Sequence, residues 1–291
     1  MSVMRTPQGL LLGLALGVLA GCGPAVTSAA PSPSAPARAS AAPAPSAKAP
    51  ATRKPRPAGV PVQRKPVPSK SAKAKAKAKP ARSKPKRQAS GPAASLMRSG
   101  RAGVALTFDD GPDPVQTPRM LDLLKREHVK ATFCLVGENV AAYPGLVRRI
   151  AAEGHTLCNH TWRHSLTLGK KKPAAIRADL RRTNKAIQRA VPGTRIKYMR
   201  APGGNFTPAF VAVAAQLGMK SIYWQVDPRD WEHPKGESAA QHQAKIVHTV
   251  KKRVGKGAIV LSHDYRQPAT IAAYRKLLPW LKKRYQLIAL P

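Results

Sequence analysis

Acidic residues are scarce in this chain, 13 against 51 lysines and arginines, and none precedes Asp109. Four of them stand in two short clusters that could do chemistry. Asp109 and Asp110 are adjacent, Asp227 and Asp230 lie three apart, and His160 and His164 are spaced i, i+4. On a helical turn that spacing points both imidazoles the same way. Two histidines and one carboxylate leave an open position, the ligand set of a catalytic zinc. Asp110 is the candidate third ligand. Alone, the histidine spacing would equally describe a surface pair; the Asp-Asp pair at another strand end favours a metal. His128, His155, His233, His242 and His248 read as ordinary histidines.

A bound metal lowers the pKa of its water to roughly 7, and a nearby carboxylate can take the proton as attack begins. Of Asp109 and Asp110, one would hold the metal and the other act as base. Amide hydrolysis also needs an acid for the leaving amine, and His263 is the candidate. Asp230 could hold it as imidazolium, and Arg200 could keep Asp109 ionised by charge pairing. Arg200 stands beside Pro202-Gly203-Gly204, a run that lets backbone approach a ligand closely.

These clusters are positioned by a regular alternation. Apolar runs at 104–108, 131–137, 155–158, 196–199, 221–226, 258–262 and 286–290 predict strands. Amphipathic stretches at 118–128, 143–153, 174–190, 208–217, 239–254 and 271–285 predict helices. Strict alternation implies parallel strands joined by crossovers, and this number of strands suggests an α/β barrel, complete or incomplete. Every cluster follows a strand, and the C-terminal strand ends of a parallel barrel open on one face.

The rest of the chain is different material. From about residue 23 to 100 it is Ala, Pro, Ser, Lys and Arg with almost no large apolar side chain, so it should not pack a core. The folded part is then 101–291. Net charge is +38, which demands an anionic environment. Arg5 leads into the apolar run 10–20, about the length of a signal-peptide core, followed by Leu19-Ala20-Gly21-Cys22. This resembles the lipobox of bacterial lipoproteins, in which the cysteine is lipidated. Residues 1–22 are therefore expected to be a lipoprotein signal, with the domain outside the cell, tethered to the membrane through Cys22 and facing the wall. The basic stretch then reads as an extended tether toward anionic wall polymers, and no specific nucleic acid is expected. Cys134 and Cys158 form an even pair that in an exported protein can be a disulfide; two buried thiols are the alternative.

With these residues in place, the region from Val104 to Pro291 closely resembles the NodB-like polysaccharide deacetylases, carbohydrate esterase family 4. TFDDG at 107–111 resembles the family's first motif, implying Asp109 as base and Asp110 as ligand. HTWRH at 160–164 is similar to the second, implying His160 and His164 as ligands. RAPGG at 200–204 is similar to the third, implying that Arg200 orients the base. DPRDW at 227–231 implies Asp230 as partner of the acid and Trp231 as a wall of the acetyl pocket. LSH at 261–263 implies His263 as acid and Leu261 against the acetyl methyl. The implied fold is a distorted (β/α)7 barrel. One departure is Gly203, where the family often has Tyr: its N–H can still serve the oxyanion, but a side-chain contact to sugar is lost. The implied activity is metal-dependent removal of N-acetyl groups from a polysaccharide, with zinc expected and cobalt or nickel as alternatives. N-acetylglucosamine of peptidoglycan is the first expectation for substrate. Chitooligosaccharides and acetylated xylan are alternatives, as is a non-catalytic basic wall-binding lipoprotein.

Overall fold

Strand β1 (Val104–Asp109) is buried along its whole length, which is why VALTFD reads as a nearly continuous apolar run instead of an alternating one. The computed structural model describes residues 90–291. β1 lies between β2 (Thr132–Leu135) and β6 (Ile259–His263), and the parallel order continues outward through β3 (Thr156–Asn159), β4 (Tyr198–Met199) and β5 (Lys220–Ser221) as β5–β4–β3–β2–β1–β6. The short β7 (Leu287–Ile288) pairs with the start of β1. The helices are α1 (Gln116–Arg126), α2 (Gly137–Ala142), α3 (Pro144–Ala152), α4 (Pro173–Ala190), α5 (Pro208–Gln216), α6 (Ala239–Arg253) and α7 (Pro268–Lys282). Their starts follow local chemistry. Proline stands in the first turn of α3, α4, α5 and α7, where its missing N–H costs nothing. A Ser238–Gln241 capping box opens α6.

The period of two along the strands divides the interior. Val104, Leu106 and Phe108 belong to the large core under the helices, where Phe108 meets Phe133 and Tyr274 at ring separations of 5.3 and 5.0 Å. Ala105, Cys134, Cys158, Tyr198, Ile222, Ile259 and Leu290 form a smaller cluster on the other face of the sheet. The next positions up on that second face are Thr107 and Asp109 on β1 and Leu261 and His263 on β6.

The sheet is a half-barrel with helices, in line with the expected NodB-like α/β fold. Its edge strands β5 and β6 are not paired with each other among the described residues; the segment after β5 reaches β6 through an isolated bridge between Val226 and Val260. The strand expected at 221–226 pairs with β4 only through Lys220–Ser221, and residue 96 pairs with its opposite edge. Leu96 N–H donates to the Ser221 carbonyl, and Tyr223 N–H donates to the Leu96 carbonyl. Residues 90–100, expected in the linker, therefore pack on the domain: Leu96 bridges to Ile222 and Arg98 to Ala258, and Ser95 is buried. The expected leader with Cys22, and the basic stretch up to residue 89, lie outside the described residues.

Cys134 and Cys158 face each other in register on β2 and β3 and form a disulfide. In a Cys22→Ala form, thiol titration of denatured protein should find no free thiol before reduction and both after it. Cys158→Ser should cost about 2–4 kcal/mol in denaturant unfolding.

Candidate active site

Strand register sets the first distance of the site. Asp109 pairs directly with His263 across the β1–β6 ladder, and both lie on the face of the sheet away from the helices. Asp110 follows with φ of 74°, a conformation non-glycine residues seldom adopt. This reversal lets the two consecutive aspartates reach one cleft, where on a continuing strand they would point oppositely. The turn is held from outside: Asn139 Nδ2 donates to the Asp110 carbonyl at 2.7 Å, and Val136 N–H to the Gly111 carbonyl at 3.0 Å.

His160 and His164 do not sit on a helical turn. Residues 160–164 form a loop after β3 with positive φ at Thr161 and His164. The loop is pinned by side chains distant in sequence. Asn159 Oδ1 accepts from Thr161 N–H, and its amide donates to Leu180 and Asn184 on α4. Asp179 accepts from Trp162 N–H at 2.8 Å. The result brings both imidazoles to Asp110, whose Oδ1 lies 3.2 Å from each Nε2.

This trio can hold a metal. The three ligand atoms lie within 4.8 Å of one another. His160 Nδ1 faces the Arg200 carbonyl at 2.8 Å; a carbonyl only accepts, so Nδ1 carries the proton and Nε2 is left to ligate. Asp110 Oδ1 is buried without a hydrogen-bond partner. A buried carboxylate oxygen set against two imidazole nitrogens is a donor set that a divalent cation satisfies. Charge points the same way. Burial opposes ionisation of Asp110, yet the close approach and charge of His160, with the charges of His263 and His164, hold it below the ordinary carboxylate range. Burial would likewise depress His160, but the charges of Asp109 and Asp110 raise it. His164 is lowered, chiefly by burial and against the pull of Asp110.

Arg200 is fully buried. Its Nη1 donates to Asp109 Oδ1 at 2.7 Å and to Thr107 Oγ1 at 2.8 Å, and its Nη2 to the Tyr223 carbonyl at 3.0 Å. Asp109 Oδ2 is left facing the cleft, 3.8 Å from His160 Nε2. On the opposite side Asp230 accepts from His263 N–H and Nδ1–H, each at 2.8 Å, and from Thr270 Oγ1 at 2.7 Å. Burial would lower His263, but the charge and hydrogen bond of Asp230, with Asp110 and Asp109 beyond, raise it to about 10. It is an imidazolium at neutral pH, with Nε2 free to donate.

Asp109, Asp110, His160, His164 and His263 line one cleft of about 420 Å³, with the buried Arg200 and Asp230 directly behind them. Leu261, Gly203 and the half-exposed Trp231 line it too, so every predicted catalytic, ligand and substrate residue outside the leader is drawn to this place. Gly204, with φ of 70°, must be glycine: a Cβ there would lie 2.7 and 2.8 Å from Tyr223 and Trp224. Sequence reasoning missed Leu166, Asn205 and Trp224 in the lining, and Thr107, Asn139 and Thr270 behind it. Trp224 could have been suspected as an aromatic beside a strand-end motif. The hydroxyl and amide supports carry no local signal, since their partners are remote in sequence.

Comparison with known proteins agrees with this geometry. The family model for polysaccharide deacetylase matches residues 98–222. A chitooligosaccharide deacetylase of Bradyrhizobium is 38% identical over 207 residues, spanning 66% of this chain and 91% of the relative. A peptidoglycan-N-acetylglucosamine deacetylase of Bacillus cereus is 37% identical over 185 residues, 62% of this chain and 82% of the relative. Among solved structures, a peptidoglycan N-acetylglucosamine deacetylase bound to an N-oxidanyl-benzamide superposes with a TM-score of 0.61 at 35% identity, over 68% of this chain and 90% of that one. The chain belongs to the polysaccharide deacetylases, the NodB-like family 4 of carbohydrate esterases.

Proposed function

We propose that this deacetylase acts on N-acetylglucosamine residues of peptidoglycan, through one divalent metal, with Asp109 as base and His263 as acid. The observation that carries the chemistry is the convergence on one cleft of Asp110, His160 and His164, with the free Asp109 Oδ2 on one side and the Asp230-held His263 on the other. Asp110, His160 and His164 would hold the metal. Zinc suits two imidazoles and a carboxylate best, with cobalt or nickel as alternatives. When bound, such a cation lowers the pKa of water and polarises a carbonyl. Asp109 Oδ2 takes the proton of the attacking water while Arg200 fixes the other oxygen. His263 Nε2 gives its proton to the departing amine, and Asp230 holds the ring and its charge. The Gly203 N–H can serve the oxyanion, Leu261 packs against the acetyl methyl, and Trp231 closes the pocket side.

The peptidoglycan reading is supported by the relatives that carry that name and by the sequence before the domain. A lipid on Cys22 would keep the enzyme at the outer face of the membrane. The basic stretch would draw it into a matrix of phosphate and carboxylate polymers, by an attraction that salt weakens. The second reading is chitooligosaccharide, favoured by the Bradyrhizobium relative. Acetate release from wall sacculi, chitooligosaccharides and acetylxylan, side by side, separates the substrates; release confined to one of the last two overturns the peptidoglycan assignment.

Asp109→Asn and His263→Gln should each lower kcat by about 10²–10⁴ with metal content near normal. Thorough chelation should abolish turnover, and add-back should restore it. Elemental analysis alongside single-turnover rates checks both.

His263 must be protonated to act as acid, so activity falls as pH rises through its pKa. Asp230→Asn removes the main charge that raises that value. The alkaline limb of the kcat profile should therefore move down by more than about one pH unit.

Cys22 should incorporate labelled fatty acid. Cys22→Ala should move the protein from the membrane to the soluble fraction, and equal membrane retention of that form would refute the anchor.

A further inference from the structure

A second set of polar side chains lies behind the cleft, between the turn after β1 and the turn after β6. Asp264 follows His263 and is fully buried. Its Oδ2 accepts from Thr117 Oγ1 at 2.5 Å, at the start of α1. The same Thr117 oxygen accepts from Asp113 N–H at 2.7 Å. Asp113 returns the connection: Oδ1 takes the N–H groups of Val115 and Gln116 at 2.7 and 2.6 Å, and Oδ2 takes Arg266 N–H at 3.2 Å. Both turns are thus cross-linked twice, once by each carboxyl. The Asp264 carboxyl also presses on the residue after Asp110. A Cβ placed on Gly111 would stand 2.7 Å from both of its oxygens, so position 111 is glycine because Asp264 is there. None of these groups faces the cleft. Burial, with the charge of Asp110, pushes the Asp264 carboxyl up to about 7 against the Thr117 hydrogen bond. A carboxyl is kept here at a cost that an apolar residue would avoid, which calls for a reason.

We propose that Thr117 and Asp264 are positioning residues for the deacetylation: with Asp113 they latch the turn that carries Asp110 to the turn that follows His263, and so fix the separation of base and metal side from acid side. This rests on the assignment of Asp109 and His263 given above. The β1–β6 ladder sets that separation only as far as Asp109 and His263. Beyond it the two chains part toward α1 and α7, and the latch is what joins them.

The test is the pair Thr117→Val and Thr117→Ser in the full-length metal-loaded enzyme, with Asp109→Asn measured in parallel. Valine keeps the shape and removes both hydrogen bonds; serine keeps them. Thr117→Val should lose about tenfold to a hundredfold in kcat, the scale of a small misplacement of reacting groups. Its KM should stay within about twofold, since substrate contacts are untouched, and its metal stoichiometry should not change. Thr117→Ser should recover most of the loss. Thr117→Ala gives the same comparison if the valine form does not fold. Wild-type kcat in Thr117→Val while Asp109→Asn is inactive would overturn the latch alone. So would a serine form as impaired as the valine form, or a loss carried by KM and metal content. Wild-type turnover in Asp109→Asn would overturn the catalytic assignment, and the latch with it.

Discussion

Arg200 is wholly buried, and the site is arranged around its charge. A guanidinium taken out of water is expensive unless its donors are met by well-aligned acceptors. Here Nη1 and Nη2 are met by Asp109, Thr107 and the Tyr223 carbonyl, which belong to β1 and to the segment after β5, while Nε is buried without a partner. The backbone carbonyl of the same residue faces His160 Nδ1. One residue therefore aims the carboxylate proposed as base, sets the tautomer of a proposed ligand and ties together opposite sides of the half-barrel. Removing it would leave Asp109 buried beside Asp110 without its direct ion pair. That is the kind of loss that costs about 3–5 kcal/mol and the geometry of everything nearby.

The second constraint is strain, and four of the eight described non-glycine residues with positive φ stand where the chemistry is. Asp110, Thr161, His164 and Arg229 all have positive φ, and all belong to motif loops at strand ends. Such conformations persist only when their surroundings over-determine them. The surroundings do so here: Asn139 holds the Asp110 carbonyl, Asn159 and Asp179 hold the histidine loop, and Asp227 Oδ1 accepts from Arg229 N–H at 2.7 Å. The sheet supplies rigid points of departure, and short polar side chains convert them into loops of fixed shape. A helical turn would have carried His160 and His164 with less strain. It would not have let a buried imidazole reach the Arg200 carbonyl while a half-exposed one turns to the same aspartate.

Much of this was legible in the sequence, for a physical reason. A buried parallel strand must be apolar on both faces, and a catalytic group at its end must be polar. The transition from VALTF to DD, or from IVLS to HD, thus marks both the element and the site. Rarity helped: with so few acids in a strongly basic chain, pairs at strand ends stand out. What stayed hidden depends on contacts between distant residues. Leu96 pairs with the outer edge of β5 and the residues after it, though nothing near 221–226 announces it. α2 spans only 137–142, too short for periodicity to register. The i, i+4 histidines suggested a helix because the loop's anchors, on α4, are invisible at that range. Asp264 adjoins a recognised motif, yet its partner Thr117 lies 147 residues away.

The shape of the cleft divides recognition into two levels. At its base Leu261, and higher up the half-exposed Trp231, present apolar surface beside His263 and the trio that could hold a metal. That combination suits an acetyl group, with its methyl in the apolar part and its carbonyl toward the charged part. Nothing there contacts a sugar ring by necessity. At the rim the chain is spare: Gly203 has no side chain, Gly204 can have none, and Leu166 and Asn205 fill the space beside them. A Cβ at 203 would lie 3.0 Å from Leu166 and require the left-handed backbone now held by glycine, so a tyrosine there would be strained and would displace the exposed Leu166 side chain. The groups proposed for acetyl removal are thus deep and cross-braced, while the rim beside them is lined by a few shallow residues. Relatives named for chitooligosaccharides and for peptidoglycan stand at nearly equal identity to this chain, 38% and 37%.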